Sequence, residues 1–179
     1  MDFFKVIESR YSHKALFSKK SIPEEDLERI VRAGIAAPSA GNSQSPEFVI
    51  VNDQEIIEEI GDITENEILQ SAPALIGILT RPRIHKVLDV TTECLIADFA
   101  VATENILLAA TALGYCCGWL DGPFNAPGVR EQTQQVLDMP DDRLLALVVP
   151  VGHPAEESAR REKKTFEQRA SWNTYDIER

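Results

Sequence analysis

Ala37-Pro38-Ser39-Ala40-Gly41-Asn42-Ser43-Gln44 lies where the apolar pattern of the chain changes character, and its reading decides the fold. Before it, Leu27, Ile30, Val31, Gly34 and Ile35 recur at helical spacing. After it, Phe48-Val49-Ile50-Val51 has the composition of a buried strand. Pro38 confines Ala37 to extended backbone, so the helix stops there. Gly41 permits close backbone approach, and Asn42 and Gln44 each bring a donor and an acceptor on one short side chain. Two readings stand side by side. The stretch is a plain helix-to-strand connection with Asn as its turn former, or it is an amide-bearing loop suited to a flat heterocycle with alternating N–H and C=O edges.

Outward from this loop, residues 2–9 read as a short helix with Phe3, Phe4, Val6 and Ile7 facing inward. Ser21 and Pro23-Glu24-Glu25-Asp26 form a helix start with acids in the first turn. Short helices are expected at 55–60 and 65–69, and a central strand at Ala74–Leu79. Thr92 to Leu113 is the longest helical pattern, closing at Gly114, and it is apolar on more than one face. Such a helix is the centre of a core or half of a subunit interface. A third strand is expected within Tyr115–Leu120, a helix over Val129–Leu137 and an apolar strand over Leu144–Val151. Few strands and several helices without strict alternation indicate an α+β layered domain. Residues 1–153 are read as that domain. Residues 154–179, charged with few apolar anchors, are read as its C-terminal arm.

A chain of 179 residues suits one domain, or one domain with appended arms. At that size folding buries roughly 70% of the unfolded surface, so no disulfide is required. A net charge of −11 argues against generic nucleic-acid binding. Local cation clusters still allow an anionic ligand. Cys94, Cys116 and Cys117, an odd count with one adjacent pair, do not look like a secreted disulfide framework, and a reducing cytoplasm is expected. The N-terminus carries acids and does not read as a signal peptide, and no run reads as a membrane span.

Three separated segments carry matching chemistry. If Arg10-Tyr11-Ser12-His13-Lys14 is extended, Arg10, Ser12 and Lys14 share a side, giving two cations around a hydroxyl; otherwise it is a solvated basic stretch. The amide loop is the second segment. The third is Arg160-Arg161-Glu162-Lys163-Lys164, a cationic island or a solvated tail. Trp119-Leu120-Asp121-Gly122-Pro123-Phe124 marks a sharp bend with exposed backbone groups, or a plain loop. His13, His85 and His153 lack metal-ligand spacing. Cys116 and Cys117, facing opposite sides of a strand, read as core residues.

Taken in order, these pieces resemble the FMN-dependent nitroreductase family. Its Arg-x-Ser-x-Arg/Lys pattern appears as Arg10 to Lys14, and its Pro-Ser-x-x-Asn-x-Gln loop as Pro38 to Gln44. Its Ala-Leu-Gly pattern with a later Gly turn is similar to Ala112-Leu113-Gly114 through Trp119–Gly122. Its late Gly-x-Pro followed by basic residues appears as Gly152-His153-Pro154 and then Arg161 and Lys163. The resemblance implies a mainly antiparallel central sheet flanked by helices, in a homodimer whose C-terminal tail crosses to the partner and whose FMN sites lie at the interface. It implies that Arg10, Ser12, Arg161 and Lys163 hold the FMN phosphate and ribityl chain. Lys14 and Asn42 would meet the pyrimidine side, with Pro38, Ser39 and Gln44 in the same loop. The backbone at Asp121 and Gly122 would approach flavin N5, and no side chain would be catalytic in its own right.

The activity implied is hydride transfer from NAD(P)H through flavin N5 to a nitroaromatic, quinone or similar small acceptor, in ping-pong order. Two departures motivate alternatives. Gln44-Ser45-Pro46-Glu47-Phe48 replaces a Gln-Pro-Trp run, and the segment between Ile78 and Thr92 is short where larger relatives cover the flavin. A specialised flavin enzyme of the same fold, a reductive dehalogenase or a flavin-fragmenting enzyme, is one alternative. A redox-silent FMN-binding module is another.

Overall fold

The computed structural model describes residues 2–81 and 92–177. Helix α1 spans Phe3–Ser9 and α2 spans Glu24–Ile35. A 3₁₀ turn over Ala40–Asn42 leads into strand β1, Glu47–Val51. Helices α3, Gln54–Thr64, and α4, Glu67–Ser71, precede β2, Ala74–Thr80. Helix α5 covers Thr92–Ala112, and β3 is the dipeptide Cys116–Cys117. A 3₁₀ turn over Gly122–Asn125, helix α6 over Val129–Val136 and strand β4 over Leu144–Gly152 complete the regular structure.

The sheet runs β1-β2-β4-β3 with every pairing antiparallel. Every residue of β2 is buried, which is why the strand reads as a continuous apolar run rather than an alternating one. Ala74, Ile76 and Ile78 pack with Leu27, Ile30, Ile106 and Leu107 on the α2/α5 side. Leu75 and Leu79 pack with Ile57, Ile60, Leu69 and Phe124 on the other. The register shifts between Ile78 and Leu79. That irregularity lets Leu145 and Leu147 of β4 serve opposite layers although they are two apart. Each fully buried Leu or Ile contributes roughly 1.5–3 kcal/mol, so the β2–β4 pair is the energetic centre of the domain.

Helices α2 and α5 approach closely at Gly34, where an added Cβ would lie 2.9 Å from the Ile106 side chain. Helix α5 is long and apolar enough, by composition alone, to span a bilayer. Here Leu95, Ala102, Ile106, Leu107 and Ala110 are buried within the domain, as in a core helix, while Ile96 and Val101 face outward.

Some expectations shift. The second short helix begins at Glu67, because Glu65 is the left-handed C-cap of α3 (φ 48°) and the Asn66 side chain caps the next helix from Ile68 and Leu69. The third strand shrinks to Cys116–Cys117, with Leu120 rejoining β4 through a single bridge to Val148. Of the α1 residues expected inside, only Val6 is buried; Phe3 and Phe4 are 63% and 70% exposed. A seven-residue helix resting on α5 covers one line of side chains, and the remainder stays uncovered. Most of the short segment between Ile78 and Thr92, residues 82–91, lies outside the described residues, as does His85.

Candidate functional site

Arg10 closes α1 in extended geometry (φ −63°, ψ 130°), and the chain continues as an extended segment. Ser12 bridges Cys117 in parallel, and the His13 N–H donates to the Cys117 carbonyl at 2.9 Å. Residues 10–14 thereby run along the β3 edge, and Arg10, Ser12 and Lys14 line one cavity of about 240 Å³. The far wall is Ala159, Arg160, Arg161 and Lys163. Both expected cationic segments therefore converge within one chain, 150 residues apart in sequence.

The convergence is built by a strap. Beyond β4, Pro154 bridges Phe17, and the Ala155 N–H donates to the Leu16 carbonyl at 3.0 Å. The Lys14 N–H donates to Ser158 Oγ at 3.0 Å, and the Arg160 guanidinium lies 4.5 Å from the centre of the Tyr11 ring. Arg10 donates from Nε to Glu104 Oε1 of α5 at 3.1 Å. A guanidinium held by its Nε keeps its outer nitrogens available for an oxyanion. The cavity collects Arg10, Lys14, Arg160, Arg161 and Lys163 against one acid, Glu8, in a protein of net charge −11.

Strand β3, beside which residues 10–14 run, is buried. Cys117 is fully buried and packs with Leu107 and Val149, while Cys116 joins the opposite layer beside Phe17 and Phe124. Burial pushes the Cys116 thiol up to about 11 and the Cys117 thiol up to about 12. Both thiols are protonated core residues at neutral pH, and neither is poised as a nucleophile. His13 is buried as well, its ring 4.7 Å from that of Phe17 and its Nε2 3.2 Å from the Leu16 carbonyl oxygen.

The amide loop is a separate construction. Gly41, Asn42 and Gln44 adopt left-handed geometry at φ 58°, 55° and 48°. For Asn42 and Gln44 this is a sparsely populated conformation that requires outside support. Ser39 Oγ accepts from the Gln44 N–H at 2.9 Å. Asp98, a buried carboxylate on α5, accepts from the Ala40 N–H, Ser43 Oγ and Ser45 Oγ, each at 2.8 Å. A second cavity of about 180 Å³ beside the loop is lined by Pro38, Ser39, Gln44, Glu47, Arg81 and Asp98 among others. Asn42 and Gln44 are exposed, and Asn42 does not line that cavity.

Asp121 and Gly122 are also exposed, at the entry to the 3₁₀ turn that buried Phe124 pins to the core. A Cβ at Gly122 would meet nothing within 4 Å, so within the single chain neither space nor backbone strain demands glycine there. The expected residues thus fall into three groups within one chain: a cationic cavity that also takes Lys14, an amide loop, and an open turn. Tyr11, Glu104 and Asp98 were not expected from the sequence. Asp98 does leave a trace there, as an acid set among apolar residues in Leu95-Ile96-Ala97-Asp98-Phe99-Ala100. Among the described residues no group of three or more His, Cys, Asp or Glu could hold a metal ion.

An antiparallel sheet between helices, with cations gathered where the N-terminal segment meets the strap, defines a layered α+β domain with a cationic surface cavity. Comparison with known proteins gives the particular class: the chain belongs to the nitroreductase family, whose model matches residues 7–83 and 65–153. A protein of Archaeoglobus fulgidus, provisionally named NADH dehydrogenase/NAD(P)H nitroreductase, is 33% identical over 154 residues, covering 86% of each chain. The NADPH-flavin oxidoreductase of Vibrio harveyi is 26% identical over 160 residues, covering 83% of this chain and 65% of its own. The crystal structure of a nitroreductase family protein from Clostridium novyi superposes with a TM-score of 0.75 at 28% identity, covering 87% of both chains.

Proposed function

We propose that this protein is an NAD(P)H-dependent flavin oxidoreductase that holds FMN and passes reducing equivalents to a small acceptor such as a nitroaromatic or quinone. The observation that carries this reading is the meeting of Arg10, Ser12 and Lys14 with Arg161 and Lys163 around one cavity. The family membership and the names of the two relatives support the class of reaction.

The residues present fit the cofactor. The cationic cavity offers charge-assisted donors for a phosphate, each contributing about 1.5–3 kcal/mol. The amide loop offers paired donors and acceptors for a pyrimidine edge. FMN, when bound, supplies the two-electron chemistry; the protein supplies binding, orientation and electrostatics. In this reading Arg10, Arg161 and Lys163 neutralise the phosphate and Ser12 donates to it. Lys14 extends the positive field toward the ring, where negative charge on the reduced pyrimidine would be stabilised. Asn42 and Gln44 orient the ring edge, with Pro38 and Ser39 shaping the loop beneath them, and the backbone at Asp121 and Gly122 borders the site. No side chain transfers the hydride. Donor and acceptor take the site in turn, which gives ping-pong kinetics.

Two identical chains are proposed to complete the site, with residues 154–179 as an arm toward the partner. The exposed Phe3, Phe4, Ile35, Ile96, Phe166 and Trp172 are apolar surface such a partner would cover. Three cysteines with one adjacent pair are in keeping with a cytoplasmic setting.

The test is an FMN titration followed by calorimetry, then anaerobic addition of NADH or NADPH while the flavin absorbance is followed, alongside the mass in solution. Saturable binding with bleaching by either nicotinamide is expected. Absence of FMN binding overturns the reading. Binding without reduction by either donor replaces it with a redox-silent module.

A further inference from the structure

We infer that Asp98 is the positioning residue that holds the amide loop in the shape that reads the pyrimidine edge of the flavin, an inference that rests on the flavin reading above. Asp98 sits on α5, 3% exposed, and its two carboxylate oxygens accept three hydrogen bonds of 2.8 Å. All three donors, the Ala40 N–H and the Ser43 and Ser45 hydroxyls, belong to one loop more than fifty residues earlier in the chain.

No cation among the described residues pairs with this carboxylate; Arg81 lines the same cavity but is engaged by Glu47. A buried carboxylate without a cation is costly, and it is kept only where hydrogen-bond donors replace its lost water. Those donors bracket Gly41, Asn42 and Gln44, the run of left-handed residues. The carboxylate therefore fixes the loop on both sides of its strained turn and sends the two amide side chains outward to solvent. An amide in its place has one acceptor oxygen and one NH₂ group, which would face hydroxyl and N–H donors and leave part of the set unmatched.

The consequence is a division of labour. Asp98 governs recognition of the ring edge, and the cationic cavity governs recognition of the phosphate. Three ligands separate the two: FMN, riboflavin, which lacks the phosphate, and 3-methyl-FMN, whose methyl group blocks the N3–H edge. Calorimetry on the full-length wild-type chain is expected to show a preference of about tenfold for FMN over 3-methyl-FMN, the worth of roughly one matched hydrogen bond. Asp98→Asn is expected to reduce that preference to about threefold or less while leaving the preference for FMN over riboflavin unchanged. A general loss of structure would lower both preferences together, and that outcome overturns the inference.

Where Asp98→Asn does not fold, the double variant Ser43→Ala/Ser45→Ala removes two of the three donors and is expected to give the same selective loss. Ser43→Thr/Ser45→Thr keeps both hydroxyls and is expected to restore the preference. Variants that retain the full preference for FMN over 3-methyl-FMN overturn the role of Asp98 and leave the flavin reading standing, as does a wild type that binds both equally. A wild type that binds no FMN overturns the flavin reading, and the role of Asp98 falls with it.

Discussion

The cationic cavity and the amide loop are built by opposite means. The cavity is made of exposed or half-buried charges contributed by segments at the two ends of the chain and joined by a strap without regular structure. The loop is short and uncharged, and one buried carboxylate holds its shape. Charge at a surface attracts over distance and is weakened by salt, whereas a strained loop recognises by shape and depends on its buried support. A ligand with a phosphate at one end and a heterocycle at the other needs both.

The largest effect is expected from Asp98→Ala. Three donors lose their acceptor, the Ser45 hydroxyl fully buried and the other two partly so, and the folded state should lose roughly 2–4 kcal/mol. Urea denaturation followed by circular dichroism measures it, and an unchanged midpoint would show that the loop does not depend on its buried support. Arg10→Ala comes next. Removing one fork-shaped phosphate donor should weaken FMN binding by about tenfold to a hundredfold, from roughly 1.5–3 kcal/mol for a charge-assisted bond. The variant should also show a shallower fall of FMN affinity with sodium chloride than the wild type. Riboflavin binding, read by the loop, should barely move in either experiment.

Strand β3, along which residues 10–14 run, offers a third test. The Cys116 and Cys117 thiols ionise in the unfolded chain near pH 8.5–9 but in the folded chain only near 11 and 12. Across that interval the folded state holds more protons. This contribution to stability is therefore complete below about pH 9 and is lost as pH rises toward 12. Alkaline unfolding of Cys116→Ala/Cys117→Ala should show a weaker decline than wild type over the same range. The smallest effect is expected from Tyr11→Leu. It removes the aromatic face beneath Arg160 and should raise the FMN dissociation constant about twofold to fivefold, from roughly 0.5–1 kcal/mol of cation–π attraction. A larger loss would mean that the strap depends on this one contact.

Much of the frame was legible from local pattern. The β2 and β4 runs read as buried strands because both faces of each are covered, and α2 and α5 read as helices from their spacing. The extended reading of Arg10 to Lys14 placed the three polar side chains together, since alternation follows from backbone geometry alone. The inward reading of Phe3, Phe4 and Ile7 did not hold within one chain, because apolarity says that a residue wants cover and not what provides it. Tyr11 was passed over because its role depends on Arg160, which only the folded strap brings above it.

The amino-acid order by itself determined the long helices, the strands β1, β2 and β4, and the chemical kinds of group available: cations at both ends, amides in one loop, thiols in the core. Those properties are set by neighbours within a turn or a pleat. Tertiary structure alone decided that the strap after Gly152 folds back beside residues 10–14, and that an aspartate on α5 reaches a loop more than fifty residues away. Such contacts arise from packing the whole sheet between its helices, and no local propensity encodes them.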